Sequence, residues 1–504
     1  MKNNVTKTGA GHSPGIKRRE FLRSAAIGGA AIALSPVLSS CKGGRRKPNI
    51  VYVFADQWRA SAFGYTGNPN SHTPNIDRLA AESLYFRNTV AVCPLCTPYR
   101  AALMTGRYPT STGMFVNDLY LPAEELCMPE IFGNAGYDTG YIGKWHLDGH
   151  GRSAFIPRER RQGWDYWKAA ECDHNNPRSH YFTGDSDEMQ FWEGYDAFAQ
   201  TKDASQYIQD HAGNSSPFLL MLSYGPPHPA SPPAPEEFRA MYPAEEIILP
   251  PNVPAQYAEE ARRHLSHYYA HGAALDRCVG ELMQSVEDAG IADNTIFIFT
   301  SDHGGMLRSH GDPHEWKQVA WAESAQVPFL LRYPEAHGAR GRVVDTPVNT
   351  VDILPTMLAL AGINIPGSVE GEDMSNLVFD PKEIADRSVL YMSVAPIVGQ
   401  GDAHRSLRTS QYTYVRNLQG PWLLFDDQQD PWQLNNLIDD PAYASLQEQL
   451  DAELQNHLNR IGDDFQPPQS YIDKWGYTLG QDNAIPYIAQ DAMVQSPAGM
   501  WPRP

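Results

Sequence analysis

Basic residues are scarce in this chain: 40 Lys and Arg stand against 59 Asp and Glu in 504 residues, a formal net charge of −19. That balance excludes a nucleic-acid or anionic-membrane surface, since both need clustered positive charge. Cysteine is also sparse. The six residues Cys41, Cys93, Cys96, Cys127, Cys172 and Cys278 have spacings that fit no zinc knuckle, and no disulfide pairing among them is indicated. Cys93-Pro94-Leu95-Cys96 has the form of a redox motif, but no thioredoxin-like context surrounds it. Missing too are internal repeats and any apolar run long enough to span a bilayer. What remains, 42% hydrophobic and 11% aromatic, is the composition of a well-cored globular protein. Its length suits one large α/β domain with an appendage, or two or three ordinary domains.

The first forty residues are written differently from the rest. Lys17-Arg18-Arg19-Glu20-Phe21-Leu22-Arg23 precedes a short small and apolar run, Ala25 to Leu38, and then Leu38-Ser39-Ser40-Cys41. Residues 1–40 therefore read as a twin-arginine, lipoprotein-type signal peptide, with Cys41 as the lipid-carrying residue. The alternative is a plain secretory signal cleaved near Ser40 with no lipid. Either way the expected location is outside the cytoplasm, in the periplasm or at the cell surface. The twin-arginine machinery would be the export partner, and the only membrane contact would be a lipid anchor. Residues 41–48 follow as a basic, glycine-rich linker.

From Asn49 to Ala55 the chain is a continuous apolar, β-branched run, the pattern of a buried parallel strand. Further buried strands are expected at 138–142, 217–223, 295–300 and 327–332. Helices are expected from Pro74, with Thr73 as cap, and at 101–105, 128–134, 259–289 and 350–361. This alternation predicts an α/β fold: a large, mainly parallel sheet sandwiched by helices over residues 49–385. Residues 150–200 and 225–255, rich in Trp, Tyr, His, Pro and Gly, read as long loops beyond strand ends. Residues 386–504 form a small C-terminal subdomain and tail. There 406–415 and 422–425 alternate like antiparallel strands, and a helix follows over 445–458.

The most telling motif is Cys96-Thr97-Pro98-Tyr99-Arg100, leading into Ala101-Ala102-Leu103-Met104-Thr105-Gly106-Arg107. Proline in a first turn opens a helix, and Arg100 falls one turn beyond Cys96 on the same face. First-turn amides and a guanidinium beside one cysteine make a berth for an oxyanion. At two predicted strand ends lie Asp56-Gln57 and Asp302-His303. Carboxylates gathered there repel unless a cation joins them, and three oxygen donors with one imidazole suit a divalent ion.

These motifs resemble the type I, formylglycine-dependent sulfatase family of the alkaline phosphatase superfamily, over essentially residues 48–440. The resemblance implies that Cys96 is oxidised to formylglycine by a maturation enzyme. It also implies that Asp56, Gln57, Asp302 and His303, together with residue 96, hold one divalent cation, Ca2+ before Mg2+. Tyr99 stands where the family usually has serine. Gly143-Lys144-Trp145-His146, Pro226-Pro227-His228-Pro229 and Glu315-Trp316-Lys317 match further family motifs. By that match Arg100, Lys144 and Lys317 would bind sulfate, His146 would act as a base and His228 would serve the leaving group.

For the substrate, His174, Arg178 and His180 lie in a predicted loop where a pocket rim is expected, with Trp164, Trp167 and Trp192 nearby. His404 and Arg405 would reach the same rim from the C-terminal subdomain. The expected activity is hydrolysis of sulfate monoesters of glycans or oligosaccharides, with release of inorganic sulfate. The alternatives are a phosphonate or phosphate ester hydrolase of the same superfamily, and an inactive glycan-binding lipoprotein.

Overall fold

The computed structural model describes residues 46–229, 231–313, 316–380, 387–397 and 400–478. Residues 1–40, expected to be a signal peptide, and Cys41 lie outside the described residues. In chain order the strands of the main sheet are β1 (Asn49–Ala55), β2 (Leu84–Phe86), then, after β3 (Thr89–Val90), β4 (Asp138–Lys144), β5 (Tyr166–Ala170), β6 (His180–Thr183), β7 (Gln190–Phe191), β8 (Phe218–Ser223), β9 (Thr295–Ser301), β10 (Phe329–Arg332) and β11 (Arg342–Val344). They form one ten-stranded sheet in the order β11-β2-β10-β9-β1-β8-β4-β5-β6-β7, without β3. The centre, β9-β1-β8-β4-β5, is parallel throughout. Strand β10 runs antiparallel to both of its neighbours, and β6 and β7 extend the far edge in antiparallel fashion. The mainly parallel sheet expected from the sequence is thus present, with mixed edges.

Strand β1 shows why the sheet is covered on both faces. Its side chains alternate, so Ile50, Tyr52 and Phe54 join one core and Val51, Val53 and Ala55 join the other. The first core also takes side chains from helices Cys96–Thr105, Met128–Asn134 and Thr350–Leu360. The second takes them from Pro74–Glu82, Asp196–Ala212 and Ala258–Asp288. All seven β1 residues are buried, as a strand packed on both faces requires.

Residues 150–200 differ from expectation. They are not one long loop but supply β5, β6, β7 and the start of helix Asp196–Ala212. These strands are short and studded with aromatic and polar residues, so the alternation that marks a strand is brief and easily missed. The C-terminal subdomain is a four-stranded antiparallel sheet, β13 (Val389–Ser393), β14 (His404–Arg408), β15 (Tyr412–Asn417) and β16 (Gly420–Asp426), after the short β12 (Val348–Asn349) that pairs with β3. The alternating run 406–415 is therefore two strands. Helix Ala444–Ile461 buries Leu450, Leu454 and Leu458 at four-residue spacing, and these residues share the first core with β1.

Candidate active site

Parallel neighbours end at the same edge of a sheet, and here four ends converge. Asp56 follows β1, Asp302 follows β9, Lys144 ends β4 and Ser223 ends β8. Ala55 pairs with Ser301, so the two aspartates leave the sheet side by side. Helix Cys96–Thr105 begins at this edge, with Pro98 in its first turn. Gln57 and His146, just beyond strand ends, both adopt left-handed backbone (φ 64° and 57°). Left-handed non-glycine residues cost energy and gather at functional sites.

Around Cys96 Sγ, His303 Nε2 lies at 3.3 Å and both Asp56 carboxylate oxygens at 3.6 Å. The Lys144 and Lys317 ammonium groups stand 3.6 and 3.7 Å away. Donor atoms of Asp56, Cys96, Asp302 and His303 all fall within 4.8 Å of one another, and all four residues are buried. Arg100 closes the far side. Its Nη2 donates to Asp302 Oδ2 at 3.0 Å and lies 3.5 Å from Asp56 Oδ2, while Nη1 donates to Ser223 Oγ and to the Lys144 carbonyl.

The charges explain how such a cluster survives burial. Burial pushes the Asp56 carboxyl up, but Lys144, His228, Lys317 and Arg100 outweigh it and hold the group well below the usual carboxylate range. Asp302 moves the other way, raised by burial and by the charge of Asp56 beside it. Burial and Asp56 raise the Cys96 thiol, yet Lys144, Lys317 and His303 prevail and lower it strongly. Two facing carboxylates, an imidazole and a residue-96 side chain with hard oxygen donors in the majority fit a divalent cation.

A second ring surrounds this one. Lys144 Nζ donates to Asp56 Oδ2 at 2.5 Å and lies 3.4 Å from His174 Nε2. Lys317 Nζ donates to Gln57 Oε1 and to His228 Nε2, each at 2.9 Å. His174 and His228 stack with ring centroids 4.0 Å apart. Burial, with Lys144 for His174 and with His174 and Lys317 for His228, lowers both imidazoles. His146 Nε2 lies 2.9 Å from Asp118 Oδ1, and Arg152 grips the same carboxylate through both of its oxygens.

The residues expected at a pocket rim part company. His174 is inside the cluster. Arg178 is exposed and lies over the Phe191 ring. His180 is buried with its Nδ1 on Asp173. His404 and Arg405 are not at a rim but inside the C-terminal sheet, where Arg405 pairs with Asp463 and lies against Phe465 and Tyr471. They are neighbours on β14 and so point to opposite faces, but every residue of that strand is buried, a feature the residue types alone conceal. Trp164 and Trp167 are core residues, and Trp192 is buried against Tyr181. Sequence reasoning missed Asp118, Arg152, Ser223 and Cys172, whose Sγ lies 3.5 Å from His174 Nε2. None sits in a recognisable motif. The five described cysteines are all free.

A parallel sheet whose strand ends gather acidic and imidazole ligands, a helix-start cysteine and a cordon of fixed cations defines a hydrolase of anionic esters. The chain belongs to the sulfatase family: the Sulfatase family model matches residues 48–363, and a model described as N-sulphoglucosamine sulphohydrolase, C-terminal, matches residues 312–460. It is accordingly a sulfatase, a sulfuric ester hydrolase. An ulvan-active sulfatase of Formosa agariphila is 46% identical over 478 residues, covering 92% of this chain and 94% of the relative. An endo-4-O-sulfatase of Bacteroides thetaiotaomicron is 30% identical over 500 residues, 85% of this chain and 95% of the relative. A solved structure concerned with the metabolism of multiple glycosaminoglycans by Bacteroides thetaiotaomicron superposes with a TM-score of 0.75 at 29% identity, covering 85% of this chain and 98% of that one.

Proposed function

We propose that this sulfatase hydrolyses sulfate monoesters on sulfated polysaccharides or their oligosaccharides, with residue 96, matured from cysteine to formylglycine, at the reacting centre. The observation that carries the reading is the position of Cys96 Sγ, within 3.7 Å of Asp56, His303, Lys144 and Lys317 together. The glycan class rests on the relatives, which include an ulvan-active sulfatase and an endo-4-O-sulfatase. The twin-arginine stretch at Arg18-Arg19 and the run before Cys41 support export, with a lipid anchor.

Asp56, Gln57, Asp302 and His303, with residue 96, would hold a divalent cation, calcium in preference to magnesium. When bound, that cation supplies Lewis-acid neutralisation of the sulfate. Formylglycine at residue 96 would supply a hydrated aldehyde, with one hydroxyl as the nucleophile towards sulfur and a second through which sulfate could be expelled. The chain's own residues do the rest. Arg100, Lys144 and Lys317 neutralise the sulfate oxygens from fixed positions in a water-poor site. His228, with the Lys317 ammonium on its Nε2, would protonate the leaving alcohol, and His146 would accept the hydroxyl proton as sulfate leaves.

The test is expression alongside a formylglycine-generating enzyme, followed by mass spectrometry of the peptide carrying residue 96 and assays on sulfated polysaccharides and on aryl sulfate, phosphate diester and phosphonate esters. We expect the aldehyde form of residue 96, release of inorganic sulfate, and no turnover by Cys96→Ala. An unmodified thiol in active enzyme, or phosphorus esters turned over faster than sulfate esters, would refute the reading.

A further inference from the structure

Beside the catalytic cluster lies a second, smaller assembly that no motif announced. Asp118 is buried, and its two oxygens are taken up by Arg152: Nε reaches Oδ1 at 3.0 Å and Nη2 reaches Oδ2 at 2.9 Å. The same Oδ1 lies 2.9 Å from His146 Nε2. Burial pushes the Asp118 carboxyl up, but Arg152 and His146 overcome it and hold the group well below the usual range. An ionised carboxylate can only accept hydrogen bonds. The proton in the His146–Asp118 contact therefore sits on His146 Nε2. With one proton on the ring, the lone pair is then on Nδ1, a buried atom with no hydrogen-bond partner among the described residues.

Several contacts fix this assembly to the reacting residue. Thr97, next to Cys96, donates its hydroxyl to the His146 carbonyl at 2.9 Å and accepts the Asp118 amide at 3.3 Å. The Thr97 amide in turn donates to Asn117 Oδ1 at 3.0 Å. The His146 amide donates to the Glu171 carbonyl, and the Asp148 and Gly149 amides donate to Glu171 Oε1, so the turn after His146 is pinned on the other side. Asp118 and His146 both hold left-handed backbone (φ 64° and 57°), a conformation that persists only where the surroundings over-determine it.

We propose that Asp118, braced by Arg152, is a positioning residue that locks His146 in the Nε2–H tautomer and makes Nδ1 the atom that accepts the proton when sulfate leaves. This rests on the reading of His146 as the base. In that step the residue-96 hydroxyl proton passes to Nδ1, the carbonyl re-forms, and the bond between carbon and the sulfate oxygen breaks. The arrangement follows the general logic of an orienting carboxylate behind a catalytic imidazole.

Asp118→Asn removes the charge while keeping the size. Its amide can donate to Nε2, which moves the ring proton to Nδ1 and blocks the base. On matured enzyme we expect kcat and KM to fall together, kcat about 100-fold, with kcat/KM nearly unchanged, because only the second half-reaction is slowed. Alcohol release should still show a rapid burst of about one equivalent per enzyme, because the first half-reaction does not use His146. Independently of turnover, nitrogen-15 histidine spectra should show the His146 resonance, assigned by its loss in His146→Gln, changing from the Nε2–H to the Nδ1–H pattern. Wild-type kcat with an unchanged tautomer in folded Asp118→Asn overturns the proposal, as does loss of the burst together with turnover. If Asp118→Asn does not fold, Arg152→Gln is the substitute, and an unchanged burst-to-turnover ratio there has the same force. Wild-type turnover by His146→Gln would instead refute the base assignment itself, so the two failures are distinguishable.

Discussion

Arg100 shows how much a single side chain carries here. It is buried, donates to Asp302, Ser223 and the Lys144 carbonyl, and lies over the Phe54 ring with its carbon 4.9 Å from the centroid. A lysine keeps the charge but loses the planar fork that reaches three partners at once. Arg100→Lys should lower kcat/KM about 100-fold or more, the scale of losing a fixed donor to developing negative charge. Thermal melting of the same variant separates that loss from instability. Cys96, Arg100, Asp56 and Asp302 were legible in the sequence because their chemistry depends on residue type and short spacing. Asp118 and Arg152 were not, since they act on His146 through space from positions 28 residues before it and a few residues after it, with no fixed pattern. His404 and Arg405 misled for the converse reason: polar types suggest a surface, whereas β14 is buried on both faces and so hides both of them.

At the scale of elements, the site exists because parallel strands end together. Gly143 is one price of that closeness. Its φ is +101°, and a Cβ there would stand 2.0 Å from the Ser223 carbonyl oxygen on the neighbouring strand. Gly143→Ala must push β4 away from β8 and shift Lys144, the next residue. We expect a stability loss of about 2–3 kcal/mol in chemical denaturation and a reduced kcat/KM. A variant as stable and active as wild type would mean that the strands part without disturbing the site. The central strands were readable because burial on both faces makes them continuous apolar runs. The edge strands β5 to β7 were not, because a few half-polar residues carry too little periodicity to distinguish strand from loop.

Across the whole molecule, the response to acid is a contest between buried groups. Burial holds His271 down to about 4 and His404 to about 3, so in the folded state they refuse protons that the unfolded chain accepts below about 6.5. Both therefore contribute stability at neutral pH that is lost as the pH falls through that window. Asp196, raised to about 7 by burial, acts in the opposite sense: folding binds its proton and gains as the pH falls towards the normal carboxylate range. A comparison of variants isolates one contribution. His271 bonds Tyr195 and the Pro232 carbonyl, so His271→Gln should be less stable than wild type at pH 7.5. That gap should narrow by on the order of 3 kcal/mol by pH 4, read from denaturant midpoints at each pH. A constant gap would show that His271 titrates normally in the folded protein.

Only 1% of the Cys96 surface is open to solvent, and the lysines, aspartates and imidazoles that enclose it come from segments spread over more than two hundred residues. Those walls come together only once the chain has folded as far as Lys317. A maturation enzyme of the kind proposed above would therefore have to reach this sulfur while the polypeptide is still open, before these segments close around residue 96.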